Sequence, residues 1–104
     1  MIKAAELNEL KPGKIKRITS ANQALLLCNV GGEYYAVADL CPHEDFPLSY
    51  GCLKDNDIEC SLHGARFDVR SGMPSHEPAD CPLQTFPVVI QEDGVFIDDA
   101  SGVD

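Results

Sequence analysis

The sequence predicts an all-β fold, a sandwich or small barrel. Three observations carry this: the apolar residues fall in short runs of strand length, Gly and Pro turn signals bound those runs, and no long helical period appears. AAELNEL (4–10) has room for one helical turn at most. Pro12-Gly13 then marks a turn, and KIKRIT (14–19) alternates apolar and polar residues as a half-buried strand does. ALLLCNV (24–30) is a continuous apolar run of strand length. Gly31-Gly32 joins it to EYYAVAD (33–39), an aromatic, alternating segment, and the pair reads as a hairpin. IEC (58–60) and ARFDV (65–69) form a second pair around SLHG, and FPVVIQ (86–91) with VFID (95–98) closes the chain as a third. The stretches Asp39–Asp57 and Gly72–Thr85 are long, proline-containing loops, and loops of that length in a compact domain usually carry function.

At 104 residues the chain is sized for one domain, 1–104, with a modest core that a bound metal centre would help to stabilise. Formal net charge is −9, unevenly placed. Residues 1–20 hold Lys3, Lys11, Lys14, Lys16 and Arg17 against Glu6 and Glu9, a net of +3, leaving −12 on the rest. An acidic body argues against nucleic-acid binding. It suits a partner with a basic docking face, or serves solubility alone. The N-terminus lacks the apolar stretch of a signal peptide, and no run approaches the ~18 apolar residues that span a bilayer. A soluble, cytoplasmic protein is expected. Five cysteines, some beside histidines, suggest metal or redox chemistry before disulfides in a reducing compartment.

The chemistry-bearing constellation is Cys41-Pro42-His43 followed, after 16 intervening residues, by Cys60-Ser61-Leu62-His63. Each half supplies one thiolate and one imidazole from a turn at the end of an expected strand. Two sulfur and two nitrogen ligands suit either zinc or an iron–sulfur centre. Zinc fingers usually pair cysteine with cysteine and histidine with histidine. Here each short motif mixes the two types. A two-iron cluster accounts for this more simply, with the cysteines on one iron and the histidines on the other.

With its flanking residues, CPH…CSLHGARFDVRSG…PADCPLQTFPV resembles the Rieske-type [2Fe–2S] ferredoxins of bacterial aromatic-ring-hydroxylating dioxygenase systems, over nearly the full chain. The resemblance implies stacked antiparallel sheets with a small cluster-binding subdomain, about residues 40–82, built on two ligand loops. It implies one [2Fe–2S] cluster held by Cys41, His43, Cys60 and His63, with the cysteines on the buried iron and the histidines on the outer one. Pro78 to Pro82 would cover it. The implied role is electron carriage from a flavin-dependent ferredoxin reductase to a terminal oxygenase in aromatic hydrocarbon catabolism. No bond chemistry would occur on this chain, and a monomer is expected.

Departures from the high-potential Rieske proteins bear on the redox potential. Those proteins carry serine and tyrosine just after the second histidine, where this chain has Ala65 and Phe67, and a loop-bridging disulfide, where it has Phe46 and Leu62. Hydrogen-bond donors near the sulfurs favour the reduced state. Their absence predicts a low-potential centre, towards the ~−150 mV end of the Rieske range. Alternatives are a Rieske-like small subunit of a reductase, such as a nitrite reductase, or a zinc-stabilised binding module.

Other residues read more plainly. Cys28, within an apolar strand, is a buried small hydrophobe. Cys52 and Cys81 read as bystanders ahead of a redox or disulfide role, and His76 as an exposed polar residue ahead of a ligand. Glu44 and Asp45 are either a solvated loop or an acidic collar beside the exposed edge. Pro42, Phe46, Pro47 and Pro82 either form an apolar rim or shape the loops. Gly51, Gly64 and Gly72 permit tight turns. Asp68 and Arg70 alternate on a strand and pair structurally.

Overall fold

The continuous apolar run at 24–30 becomes β3 (Ala24–Val30), a strand buried on both faces. Successive side chains of a strand point to opposite sides. Leu25 and Leu27 enter one core, with Ala5, Ala36, Phe86, Val95 and Ile97. Leu26 and Cys28 enter a second, with Val37, Leu48, Ile58, Phe67 and Leu83. A strand walled by core on both sides has no polar face, which is why its sequence shows no alternation. These elements come from a computed structural model that describes residues 1–20, 23–41, 47–61, 64–76 (except the His76 side chain) and 81–99.

β3 lies in a four-stranded antiparallel sheet with β2 (Ile15–Thr19), β4 (Glu33–Ala38) and β9 (Thr85–Phe86), ordered β2-β3-β4-β9. The expected hairpin across Gly31-Gly32 is present, with Val30 opposite Glu33. β1 (Ile2–Ala5), β10 (Val88–Gln91) and β11 (Gly94–Ile97) make a three-stranded sheet ordered β1-β11-β10, which closes the first core. A second four-stranded sheet holds β5 (Cys52–Lys54), β6 (Asp57–Glu59), β7 (Arg66–Asp68) and β8 (Pro74–His76) in sequential order, and closes the second core. The all-β expectation holds: the described residues form three antiparallel sheets, and the first four-stranded one is shared between two cores.

Several boundaries differ from expectation. The N-terminal segment is no helix: β1 pairs with β11 and buries Ala4 and Ala5. The single turn survives only as Glu6–Glu9, where the Glu9 N–H donates to the Glu6 carbonyl. The expected strand 86–91 divides at Pro87. Phe86 pairs with Ala36 of β4, whereas Val88 pairs with Ile97 of β11. Proline has no N–H to continue a ladder, so it marks the change of sheet. The two long loops also carry regular structure. The first contains a 3-10 turn, Leu48–Tyr50, and β5; the second contains β8. Three-residue strands are too short to show a period.

Candidate metal centre

Cys41 follows β4 and Cys60 follows β6, each just beyond the strand that carries it. Both are buried, 0% and 1% exposed, in the same core group as Leu26, Leu48, Phe67 and Leu83. The strand-terminal placement expected of these cysteines is therefore present, and two distant segments bring them into one apolar volume. His43 and His63, the nitrogen half of the expected set, lie outside the described residues. So do Pro42, Glu44, Asp45, Phe46, Leu62 and residues 77–80, and with them the acidic collar, both disulfide-comparison positions and most of the expected cover. Of the remaining rim, Pro47 is half-buried and Pro82 exposed.

The turn after Cys60 is tied at its ends. The Cys60 N–H donates to the Ala65 carbonyl at 2.7 Å, and the Gly64 N–H donates to the Cys60 carbonyl at 3.0 Å. β6 and β7 hold the turn in register, with Ile58 opposite Phe67 and Glu59 opposite Arg66. Ala65, Phe67 and Val69 are all at most 1% exposed and belong to the same apolar core group as the cysteines. Neither Ala65 nor Phe67 has a side-chain donor.

The donor set fits an iron–sulfur centre. Thiolates are soft ligands and suit iron–sulfur clusters or zinc. Two sulfurs from separate loops in one apolar group would be available as soft ligands to such a centre, and a histidine follows each of these cysteines within three residues in sequence. Among the described residues no group of three metal-ligating side chains gathers.

Cys28 is fully buried, as expected, and burial above all, with the Asp39 charge, pushes its thiol up to about 12. Cys52 is exposed and Cys81 half-buried. The backbone of His76 lies in β8 opposite Arg66, not in a loop, while the exposure of its side chain lies outside the described residues. Arg70 does chelate Asp68, through Nε at 3.0 Å and an Nη at 2.8 Å, but from the turn after β7, since the strand ends at Asp68.

Two residues acquire roles the sequence did not assign. Asp39 looks like an ordinary residue at a strand end, yet its side chain is fully buried and accepts the Ser49 N–H at 2.7 Å. Gly51 was expected to permit a turn by its backbone freedom, but its φ is −92°, open to any residue. It must be glycine for another reason: a Cβ there would overlap the Glu59 carbonyl oxygen. Short-range patterns carry no sign of either contact.

The fold and the paired cysteines define an iron–sulfur protein class, and the chain belongs to the Rieske [2Fe–2S] domain family, whose model matches residues 1–87. It is 42% identical to the ferredoxin component of biphenyl 2,3-dioxygenase from Rhodococcus jostii strain RHA1, covering 99% of this chain and 96% of that one. Among solved structures it is similar to a chain in the complex of reduced oxygenase and oxidized ferredoxin in carbazole 1,9a-dioxygenase. That match has a TM-score of 0.89 and 35% identity, and covers 92% of this chain and 90% of that one. It is also similar to the ferredoxin of Sphingomonas yanoikuyae B1, with a TM-score of 0.88 and 30% identity over 94% and 97% of the respective chains.

Proposed function

We propose that this chain is a one-electron carrier of a multicomponent aromatic-ring-hydroxylating oxygenase system, and not itself a catalyst. It takes electrons from a flavin-dependent ferredoxin reductase and delivers them to a terminal Rieske-type oxygenase. One observation carries the reading: Cys41 and Cys60, from separate loops, are buried in one apolar group of a Rieske-family chain. Family membership and near full-length likeness to named ferredoxin components support the carrier role. No described helix is long and apolar enough to cross a membrane. The chain works as one domain, residues 1–104, as a monomer in the cytoplasm.

Cys41 and Cys60 hold one iron, and His43 and His63 the other, of a single [2Fe–2S] cluster. When bound, that cluster supplies a one-electron couple. The protein's own part is to hold the ligands and set the environment. Leu26, Leu48, Phe67 and Leu83 keep water from the cysteines, and Ala65 and Phe67 withhold the side-chain donors that would favour reduction. The potential is accordingly low, towards the ~−150 mV end for such centres.

Purified protein should contain iron and labile sulfide in equal amounts. Its reduced form should give an EPR spectrum whose average g-value lies below that of an all-cysteine cluster. His43→Ala or His63→Ala should abolish that signature, and Phe67→Tyr should raise the midpoint. A colourless protein with one zinc, or a midpoint above zero, would overturn the reading. Reduction by a flavin reductase with reoxidation by a terminal oxygenase separates the carrier from a reductase subunit.

A further inference from the structure

The first ligand loop leaves β4 at Asp39, two residues before Cys41, and returns at Pro47 to enter the 3-10 turn Leu48–Tyr50. This turn is tied in two directions. Toward the start of its own loop, the Ser49 N–H donates to Asp39 Oδ1 at 2.7 Å, on a carboxylate with no solvent exposure. Toward the second loop, Gly51 lies so close to the Glu59 carbonyl that a side chain there would overlap it, and Glu59 directly precedes Cys60. The Gly51 N–H closes the turn onto the Leu48 carbonyl at 2.9 Å. Leu48 itself is fully buried in the core group that contains both cysteines.

Resting on the reading of Cys41 and Cys60 as cluster ligands, we propose that Leu48–Gly51 is a bracket fixing the two ligand loops against each other, with Asp39 and Gly51 as its positioning residues. The Asp39 end reaches the chain just before one cysteine, and the Gly51 end reaches the chain just before the other. Residues behind the ligands that hold them in place set affinity and potential as the ligands do.

Asp39 also brings charge. Its Oδ2 faces Arg17 Nε at 3.1 Å as an ion pair and accepts no hydrogen bond among the described residues. Arg17 is half-exposed, so water screens its charge more than that of the buried carboxylate. The Asp39 field extends into the core group, where it acts on the Cys28 thiol. A buried negative charge opposes addition of an electron nearby, so Asp39 holds the midpoint down and Arg17 partly offsets it.

Asp39→Asn separates the two roles, since the amide oxygen still accepts the Ser49 N–H while the charge is gone. The measurements are redox titration, EPR of the reduced protein and the half-life of cluster colour under a chelator. They are made on wild type, Asp39→Asn, Asp39→Ala, Gly51→Ala and Arg17→Gln. Asn29→Ala is a control: that buried side chain bonds the Leu10 carbonyl, away from the bracket. Asp39→Asn should keep the cluster and shift the midpoint positive, and Arg17→Gln should shift it negative. Asp39→Ala and Gly51→Ala should shorten the half-life roughly tenfold or more and move the g-values. Asn29→Ala should lower the Tm and leave midpoint and g-values in place. Should Gly51→Ala fail to accumulate, the half-life and g-values of Asp39→Ala, set against those of Asp39→Asn, decide the matter. A cluster-bearing wild type whose Asp39 variants keep its midpoint, spectrum and half-life overturns this inference alone. A wild type without the cluster overturns the ferredoxin reading with it.

Discussion

A single carboxylate shows how little of this surface is idle. Asp68 ends β7 and receives both the side chain and the backbone N–H of Arg70. The Arg70 guanidinium, more than the local backbone donors, holds the Asp68 carboxyl below its ordinary value of 3.8. A lowered folded value means the folded state favours the ionised form. The pair's stabilisation is therefore fully present above the ordinary carboxylate range and is lost as pH falls through the folded value. Arg70 is half-exposed, so solvent screens the gain and keeps it small. Asp68→Asn should lower stability slightly at pH 7 in urea denaturation, and wild type and variant should converge in acid. A constant difference at all pH values would assign the effect to packing. By contrast, the thiol of Cys28, pushed up to about 12, is inert at neutral pH and serves as a small hydrophobe.

At the scale of elements, short strands survive because loops stitch them to their neighbours. Gly72 shows this. It follows β7, its N–H donates to the Asp68 carbonyl at 2.6 Å, and its carbonyl accepts the Leu83 N–H at 2.7 Å. Leu83, 1% exposed, thereby seats the far end of the loop after Gly72 in the cysteine-containing core. Gly72 has φ +81°, and a Cβ there would collide with the Leu83 carbonyl and crowd the Thr85 methyl. Both reasons demand glycine. Gly72→Ala should cost about 1–3 kcal/mol, a fall in Tm of several degrees. Thermal unfolding followed by far-UV circular dichroism checks it; an unchanged Tm would show that the loop after Gly72 is not seated through this contact.

The whole molecule is electrically lopsided. The basic N-terminal segment forms β1 and the edge strand β2, where Lys16 pairs with Glu9 and Lys3 with Glu6, both at 2.7 Å. The −12 on residues beyond 20 lies on the rest of the chain. Charged side chains on an exposed edge such as β2 also discourage pairing with a second copy. Acidic bulk charge steers a basic partner, and salt screens that steering over about 10 Å at 0.1 M. The second-order rate of electron delivery to a terminal oxygenase should therefore fall steeply as NaCl rises from about 0.05 to 0.5 M. Stopped-flow kinetics measure this, and a rate indifferent to salt would leave the acidity to solubility alone.

The residues themselves determined the all-β class, the three hairpins and the spacing of Cys41 and Cys60 to a following histidine. Those signals are local: a run of strand length, a glycine pair, a ligand spacing of two or three residues. Tertiary structure decided what depends on distant contacts. It made β3 two-faced, placed Phe86 and Val88 in different sheets, buried Cys41 and Cys60 in one core group, and tied Asp39 to Ser49 and Gly51 to Glu59. No periodicity encodes such meetings, because burial, and the close approach of one backbone to another, depend on what the rest of the chain brings alongside.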